Sequence, residues 1–454
     1  MDVATIRRVG RVVRRYLAEF SDCFGRCDTE SYLGVYVAGQ NSDLQRKSAE
    51  PIALRSGIVP RSLQVFLSSA SWDEERMIDR VQEIVVRDHS HAYAIGLIDE
   101  TGSPKKGTHT ACVQRQWNGN RGKVDNCVVS VHLGYTAGRF HSLLDSDLFL
   151  PKSWAHDGER RKRAGIPDDV IYRSKPEIAL AQIRRALRNG IRVAAWTFDE
   201  HYGQSYAFLD GLDGLGQTYV GEVPCNFRGW AMAPRVLYRA TPQQMRQKGR
   251  KRRYPRLAKT AAKASEVRNL LTYSPAFTGQ SWTPIHIKDG EKGPMVREVK
   301  AIAFRMQREG LPTREHWLIA ARDPEQPDQM KFFVSNANPG CPLEWLVYVG
   351  YSRWPIEQCF KEEKDELGFD HFEVRGWQSI HRHMYLTQVS HLYLNKMREQ
   401  LTAEEQAEEE AGVFSPPRAR RYASNIPRRK PHPQPDSRCV VGLVPSVAFG
   451  SGCP

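Results

Sequence analysis

Apolar residues along the first 90 positions recur at three- and four-residue intervals. In the opening segment Ile6, Val9, Val12, Val13, Tyr16 and Leu17 fall at helical spacing, so it reads as an amphipathic helix rather than as a leader. Residues 48–54 begin a second kind of pattern, a short helix that Gly57 can end in a left-handed cap. Pro60 then suits the first turn of another short helix, residues 61–67. Two short helices about a glycine turn, the second exposing Arg61 and Gln64, fit a helix-turn-helix, though plain helical packing produces the same pattern.

From residue 91 the period becomes that of strands. Residues 92–98 are a short apolar run ending at Asp99, and residues 127–135, a turn at Gly138 and residues 140–144 predict a hairpin. Residues 175–189 carry Ile178, Leu180, Ile183 and Leu187 at helical spacing, with Gly190 as the stop. Residues 191–198 form another apolar strand, ending at Asp199. The order is strand, hairpin strands, helix, strand, and two of the strands end in an aspartate. Residues 204–340 are mixed, with strand-like runs at 317–321 and 332–334, and a long helix is expected to start near Ser352. Beyond 402 an acidic run and a Pro/Arg-rich tail predict disorder. The chain divides accordingly into a helical N-terminal DNA-binding region (1–90), a first core segment (91–203), an insertion with a basic stretch (204–340), C-terminal core helices (341–401) and a tail (402–454).

The 454 residues are enough for a large core without disulfides, and no apolar run approaches the length of a membrane span. Nine cysteines, an odd number, suit reduced thiols better than a disulfide framework, and Cys23 and Cys27 lack a second pair at zinc-finger spacing. The net charge of +14 is unevenly placed. Residues 241–268 hold ten Lys/Arg against one Glu, and residues 413–454 hold seven against one Asp, which leaves the remainder nearly neutral. Two basic patches on a neutral body point to a polyanion, nucleic acid first, with solvated loops as the plainer reading.

Carboxylates at strand ends sit on rigid backbone, and Asp99 and Asp199 on strands of one sheet can converge on a divalent metal; each alone is an ordinary cap. The third element is the segment 352–364, SRWPIEQCFKEEK. At 100° per residue, Arg353, Glu357 and Lys364 share one helical face, beside an apolar stripe of Ile356 and Phe360. A carboxylate between two cations is also the pattern of a surface ion-pair ladder. Glu200, Glu362 and Glu363 are rival acids, set aside because Glu200 points away from its neighbour and the glutamate pair lies off the shared face. His381 and His383 fall on opposite sides of a helix and do not share an ion.

These segments together resemble the DDE transposases of the IS4-like group, specifically the IS701 type. The resemblance is carried by Leu97-Ile98-Asp99-Glu100-Thr101-Gly102 with Lys105-Lys106-Gly107, by residues 198–203, by residues 352–364 and by residues 368–375, and it covers roughly residues 40–395. It implies an α/β fold class, an RNase H-like mixed sheet core with helices on both faces, a β-rich insertion and a helical N-terminal domain. It further implies that Asp99, Asp199 and Glu357 are catalytic and hold two Mg²⁺ ions, for which Mn²⁺ can substitute. Arg353, Glu357 and Lys364 fit the group's third-helix signature; Tyr351 stands one position late, with Gly350 where the signature has tyrosine. DNA contacts are expected from Arg353, Lys364, Lys105, Lys106, Arg61, Gln64 and the run Arg250, Lys251, Arg252 and Arg253. The implied partners are double-stranded DNA, as terminal inverted repeats and target, and a second copy of the chain in the active complex, with no membrane and a cytoplasmic, nucleoid-associated location. A metal-dependent nuclease without strand transfer and a catalytically inactive DNA-binding relative remain open as alternatives.

Overall fold

The computed structural model describes residues 3–238, 240, 242–246, 254–290 and 293–410. The described residues fall into two compact units, one within 1–227 and 349–401 and the other within 228–348 and 402–410. The run Arg250, Lys251, Arg252 and Arg253 and the tail beyond 410 lie outside the described residues. No helix among the described residues is long and apolar enough to cross a membrane.

The first unit opens with five helices, α1 (Val3–Ala18), α2 (Cys27–Gln40), α3 (Ala49–Arg55), α4 (Pro60–Ser68) and α5 (Glu74–His89). The helix pair read from the sequence is α3 and α4. Gly57 takes φ +69°, which favours glycine, and Pro60 is the first residue of α4. Four strands follow, β1 (Ile95–Pro104), β2 (Gln114–Asn118), β3 (Lys123–Ala137) and β4 (Phe140–Leu148). Next come α6 (Lys152–Ala155), α7 (Gly158–Ala164), α8 (Lys175–Arg188), β5 (Ala195–Phe198), α9 (Glu200–Gly203), α10 (Tyr206–Gly214) and β6 (Tyr219–Val223). Helix α8 starts in a full capping box, Ser174 with Glu177. The unit thus continues past residue 204, through α10 and β6 to Phe227.

The sheet of this unit runs β4–β3–β1–β5–β6, antiparallel among the first three and parallel thereafter, with β2 on the early part of β3. Three hairpin-linked strands followed by two parallel ones joined through helices is the RNase H-like arrangement. The second unit carries β7 (Arg228–Trp230), β8 (Val236–Leu237), α11 (Pro242–Arg246), β9 (Arg256–Leu257), β10 (Ser265–Glu266), α12 (Val267–Tyr273) and α13 (Pro275–Thr278). Its remaining strands are β11 (Thr283–Gly290), β12 (Gly293–Arg308), β13 (Leu311–Pro312), β14 (His316–Arg322) and β15 (Met330–Ser335). The long β12 pairs with β7, β11, β13 and β14, so this unit is β-rich. Helix α14 (Leu343–Tyr351) leads back to the first unit, which ends with α15 (Trp354–Asp365) and α16 (Trp377–Glu410).

Side-chain alternation assigns a helix to each face of the first sheet. Asp99 pairs in register with His132, whose ring packs edge-on against Phe360 of α15. Ile356 of α15 covers the same face, where Gly134 leaves it room. Glu100, one residue on, must point to the other face, and there Lys175 at the start of α8 pairs with it at 2.6 Å. Helix α16 is buried along much of its length and ties the N-terminal helices to this core. Its Arg382 donates to the carbonyls of Phe66, Ala70 and Trp72 and pairs with Glu74, while Tyr36 bonds His383 at 2.8 Å.

Candidate active site

The parallel pairing of β1 with β5 ends at Ile98 opposite Phe198. Asp99 and Asp199 are each the next residue, so their backbones leave the paired segment side by side, about one strand spacing of 4.8 Å apart. Asp99 is not a strand terminus, as the sequence pattern suggests. Strand β1 runs on to Pro104 because its other edge stays paired with β3 through Cys127. Asp199 is extended, and its carboxylate caps α9 by accepting from the amides of His201 and Tyr202.

Glu357 arrives from the facing helix. The sequence pattern places a cap at Ser352, but the cap position falls on Arg353, without a side-chain cap bond, because a separate helix, α14, runs as far as Tyr351. From there Arg353 reaches β1. Its guanidinium bonds the Asp99 carboxylate and, at 2.9 Å, the Glu357 carboxylate four residues along α15. Lys364, two turns further, donates to Thr101 of β1. The shared face of α15 therefore lies along β1, with Arg353 over Asp99 and Lys364 over Thr101. Glu357 is the most open of the site's acids, with its side chain 49% exposed against 13% for Asp99.

Burial dominates the electrostatics. The Asp99 carboxyl is pushed up to about 7 by burial and by the charges of Asp199 and Glu100, against the opposing pull of Arg353. Asp199 is held above the usual carboxylate range by burial and by Glu100, again opposed by Arg353. Burial alone would raise Glu100 as well, but Lys175 and the Tyr202 hydroxyl, which donates at 2.7 Å, hold it low. Lys364 is lowered to about 8 by burial. Two adjacent acids with raised protonation and a third acid on the same guanidinium form a site short of positive charge. Hard carboxylate oxygens suit a divalent cation with oxygen preference, although the three acids are not gathered into one ligand cluster here, because Arg353 stands between Asp99 and Glu357.

Other residues expected at the site are placed differently. Lys105 donates to the carbonyls of Asp370 and Phe372 at 2.9 and 2.8 Å and lies over the Phe372 ring, so it braces the 368–375 loop; burial lowers it to about 8. Lys106 is exposed just beyond β1. Arg61 and Gln64 line a separate cavity of about 390 Å³ with Glu50, Glu373 and Arg375. The rival acids Glu362 and Glu363 turn away from β1 toward His391 of α16, and Glu200 is exposed. His381 bonds Asp147 while His383 bonds Tyr36, so the two do not converge. The partnership of Glu100 with Lys175 and Tyr202 has no signal in the sequence spacing, since it joins three segments across 102 positions.

A protein from Microchaete diplosiphon described as "Probable transposase for insertion sequence element IS701" is 26% identical over 357 residues, which cover 77% of this chain and 78% of that protein. The family described as DDE superfamily endonuclease matches residues 19–294, a span that contains Asp99 and Asp199 and stops short of Glu357. That span is more than half of the chain and includes all six strands, β1 to β6, of the first unit, and the chain accordingly belongs to the DDE superfamily endonuclease family.

Proposed function

We propose that this protein is an insertion-sequence transposase that cuts DNA at the ends of its element and joins those ends to target DNA. The observation that carries the reading is that Asp99 and Asp199 stand side by side past the last parallel pair, with Glu357 tied to Asp99 through Arg353. The relative's description as a transposase supports it.

Asp99, Asp199 and Glu357 would hold the divalent ions, Mg²⁺ by preference, with Mn²⁺ as a substitute. Bound there, such ions make water or a DNA 3′-hydroxyl a better nucleophile and stabilise the leaving oxygen of an in-line displacement. The chain's own residues prepare this chemistry. The α9 amides orient Asp199, and the β1–β3 pairing fixes Asp99. Arg353 compensates two acids, and its planar fork suits a phosphate as well as a carboxylate. Lys364 holds α15 to Thr101.

Duplex DNA is the proposed substrate, as inverted repeats and as target, with Arg61, Gln64, Lys106 and the run 250–253 as backbone and base contacts. Joining two ends calls for at least two copies of the chain in the active complex, in the nucleoid of a cell's cytoplasm. We assign residues 228–348 as the insertion between the second and third acids.

The test is cleavage of labelled duplex carrying the gene's flanking DNA, with and without Mg²⁺, by wild type and Glu357→Gln. Cuts at the element's ends that need Mg²⁺ and vanish in Glu357→Gln, while binding persists, are expected. A target plasmid in the same reaction separates the two enzymatic readings: covalent joining supports transposition, and cutting without joining indicates a nuclease. Binding without cutting by the wild type would leave an inactive DNA-binding relative.

A further inference from the structure

On the side of α15 turned away from β1 lies a second cluster that the nuclease reading does not use. His141 of β4, Cys359 and Glu362 of α15, and His391 of α16 meet there, with Glu363 behind them. Ligand atoms of His141, Cys359 and His391 all lie within 4.8 Å of one another. The ring Nε2 of His391 is 2.9 Å from Glu362 Oε2, and that of His141 is 3.5 Å from the same oxygen. Both imidazoles therefore sit on one carboxylate oxygen, and each also has a ring nitrogen near the Cys359 thiol.

The cluster is poorly satisfied as it stands. Cys359 and His391 are fully buried and Glu363 nearly so. His141 Nε2, His391 Nδ1 and both carboxylate oxygens of Glu363 have no hydrogen-bond partner. Buried polar atoms are rarely left without hydrogen-bond partners. We propose that Cys359, His141 and His391, with Glu362 moving in as the fourth ligand, form a closed, four-coordinate site for a structural transition metal of the zinc class.

Several features fit that ion. One thiolate and one carboxylate balance its two positive charges, and two neutral imidazoles complete a tetrahedron. With bonds of about 2.0–2.3 Å, tetrahedral ligands sit about 3.3–3.8 Å apart, so the three atoms now within 4.8 Å must close up while Glu362 Oε2, now 2.9 Å from His391, draws back from it. The outer shell is in place: Glu363 Oε1 lies 3.5 Å from His391 Nδ1, where a carboxylate fixes a ligating imidazole. Gln358 donates to the other Glu362 oxygen at 2.8 Å. Sulfur and imidazole donors disfavour Mg²⁺, so this site is chemically distinct from the acids on the opposite face of α15. Its role is positional, because the ion pins the helix that carries Arg353 and Glu357 to β4 and α16.

The experiment uses the full chain purified without chelator, with metal content measured by mass spectrometry and Co²⁺ exchanged in for its spectrum. About one zinc per chain is expected, and the Co²⁺ form should show intense tetrahedral d–d bands with a thiolate-to-cobalt charge-transfer band. Cys359→Ser should abolish the charge-transfer band and His391→Gln should lower metal retention at least ~10-fold, while Asp99→Asn and Glu357→Gln change neither. Wild type that retains less than about 0.1 zinc per chain after incubation with Zn²⁺ and shows no thiolate band would overturn the site, as would a band that survives Cys359→Ser. The wild-type spectrum needs no variant, so a misfolded substitution does not shield the idea. DNA cleavage is not the readout, which keeps this result separate from the fate of the transposase reading.

Discussion

At the scale of single residues, Arg353 is where charge decides the site's behaviour. Its guanidinium is the cation that Asp99 and Glu357 share, so it competes with any divalent ion for the same oxygens. Arg353→Gln should therefore act in two directions. Removing the competitor leaves the acids less compensated and should tighten Mn²⁺ or Mg²⁺ binding about 3–10-fold by calorimetry. Losing the fork beside the scissile phosphate should lower the cleavage rate ~10²-fold. If metal affinity and rate fall together, Arg353 is organising the ligands rather than competing with the ion. Asp145 of β4 gives a second test, remote from the metal question. Burial pushes its carboxyl up to about 7, with Asp147 and Glu75 adding to the rise and Arg185, 3.9 Å away, opposing it. The folded chain thus holds a proton that the unfolded chain releases near pH 4, so stability falls as pH rises from about 4 to 7 and then levels off. Asp145→Asn removes that loss while Arg185 keeps Asp79 and Glu75. Its advantage over wild type in denaturant titrations should be small at pH 4 and reach about 2–4 kcal/mol at pH 8. An advantage that does not change with pH would rule out a neutral Asp145.

Among the elements, the position of Asp199 depends on how closely the short α9 lies on β6. A Cβ at Gly203, the last residue of α9, would stand 1.9 Å from the carbonyl oxygen of Glu222 in β6. Gly203→Ala should push α9 outward and carry with it the amides that hold Asp199. A stability loss of about 2–4 kcal/mol and a cleavage rate reduced well beyond the change in DNA affinity are the expected results, from unfolding curves and single-turnover assays. Equal losses in rate and DNA affinity would place the damage elsewhere. The sequence makes much of this legible. The α3–α4 turn, the β3–β4 hairpin and α8 follow from apolar period, Gly57, Gly138 and Gly190, because these are local effects of backbone geometry. The placement of Asp99 and Asp199 just past two apolar strand runs, and of Glu357 on the Arg353 face of α15, is legible because each of those patterns is periodic. What escapes depends on long-range pairing. The extension of β1 past Asp99 is dictated by β3, the helix break at Ser352 by the packing of α14, and the inward turn of Lys105 by carbonyls some 265 residues away. The pattern of α15 shows that Glu362 and Glu363 leave the Glu357 face, but not that they meet His391.

For the whole molecule, attraction to DNA and chemistry on DNA must come from different residues. The proposed active site presents three carboxylates that repel a phosphate until cations are bound, so it does not draw in the duplex. The formal charge of +14 is matched by two stretches, residues 241–268 and 413–454, and the rest of the chain is close to neutral. Non-specific affinity should therefore arise from these stretches by release of counterions, and it should carry their signature in salt. Each phosphate that the protein ceases to neutralise takes about 0.9 from the slope of log affinity against log salt. Replacing Arg250, Lys251, Arg252 and Arg253 together by Gln should lower that slope by about 3–4, to the same extent for cognate and unrelated duplexes. The rate of cleavage at saturating DNA and low salt should stay within about twofold of wild type, because weakening the ground and transition states equally raises KM and spares kcat. Equilibrium binding over a salt series, paired with single-turnover cleavage, reads both quantities. An unchanged slope would remove this run from the DNA path and leave the other basic stretch to supply the attraction. A collapse of kcat in proportion to affinity would instead show that the run acts on the reacting strand, and the separation of steering from chemistry would then fail.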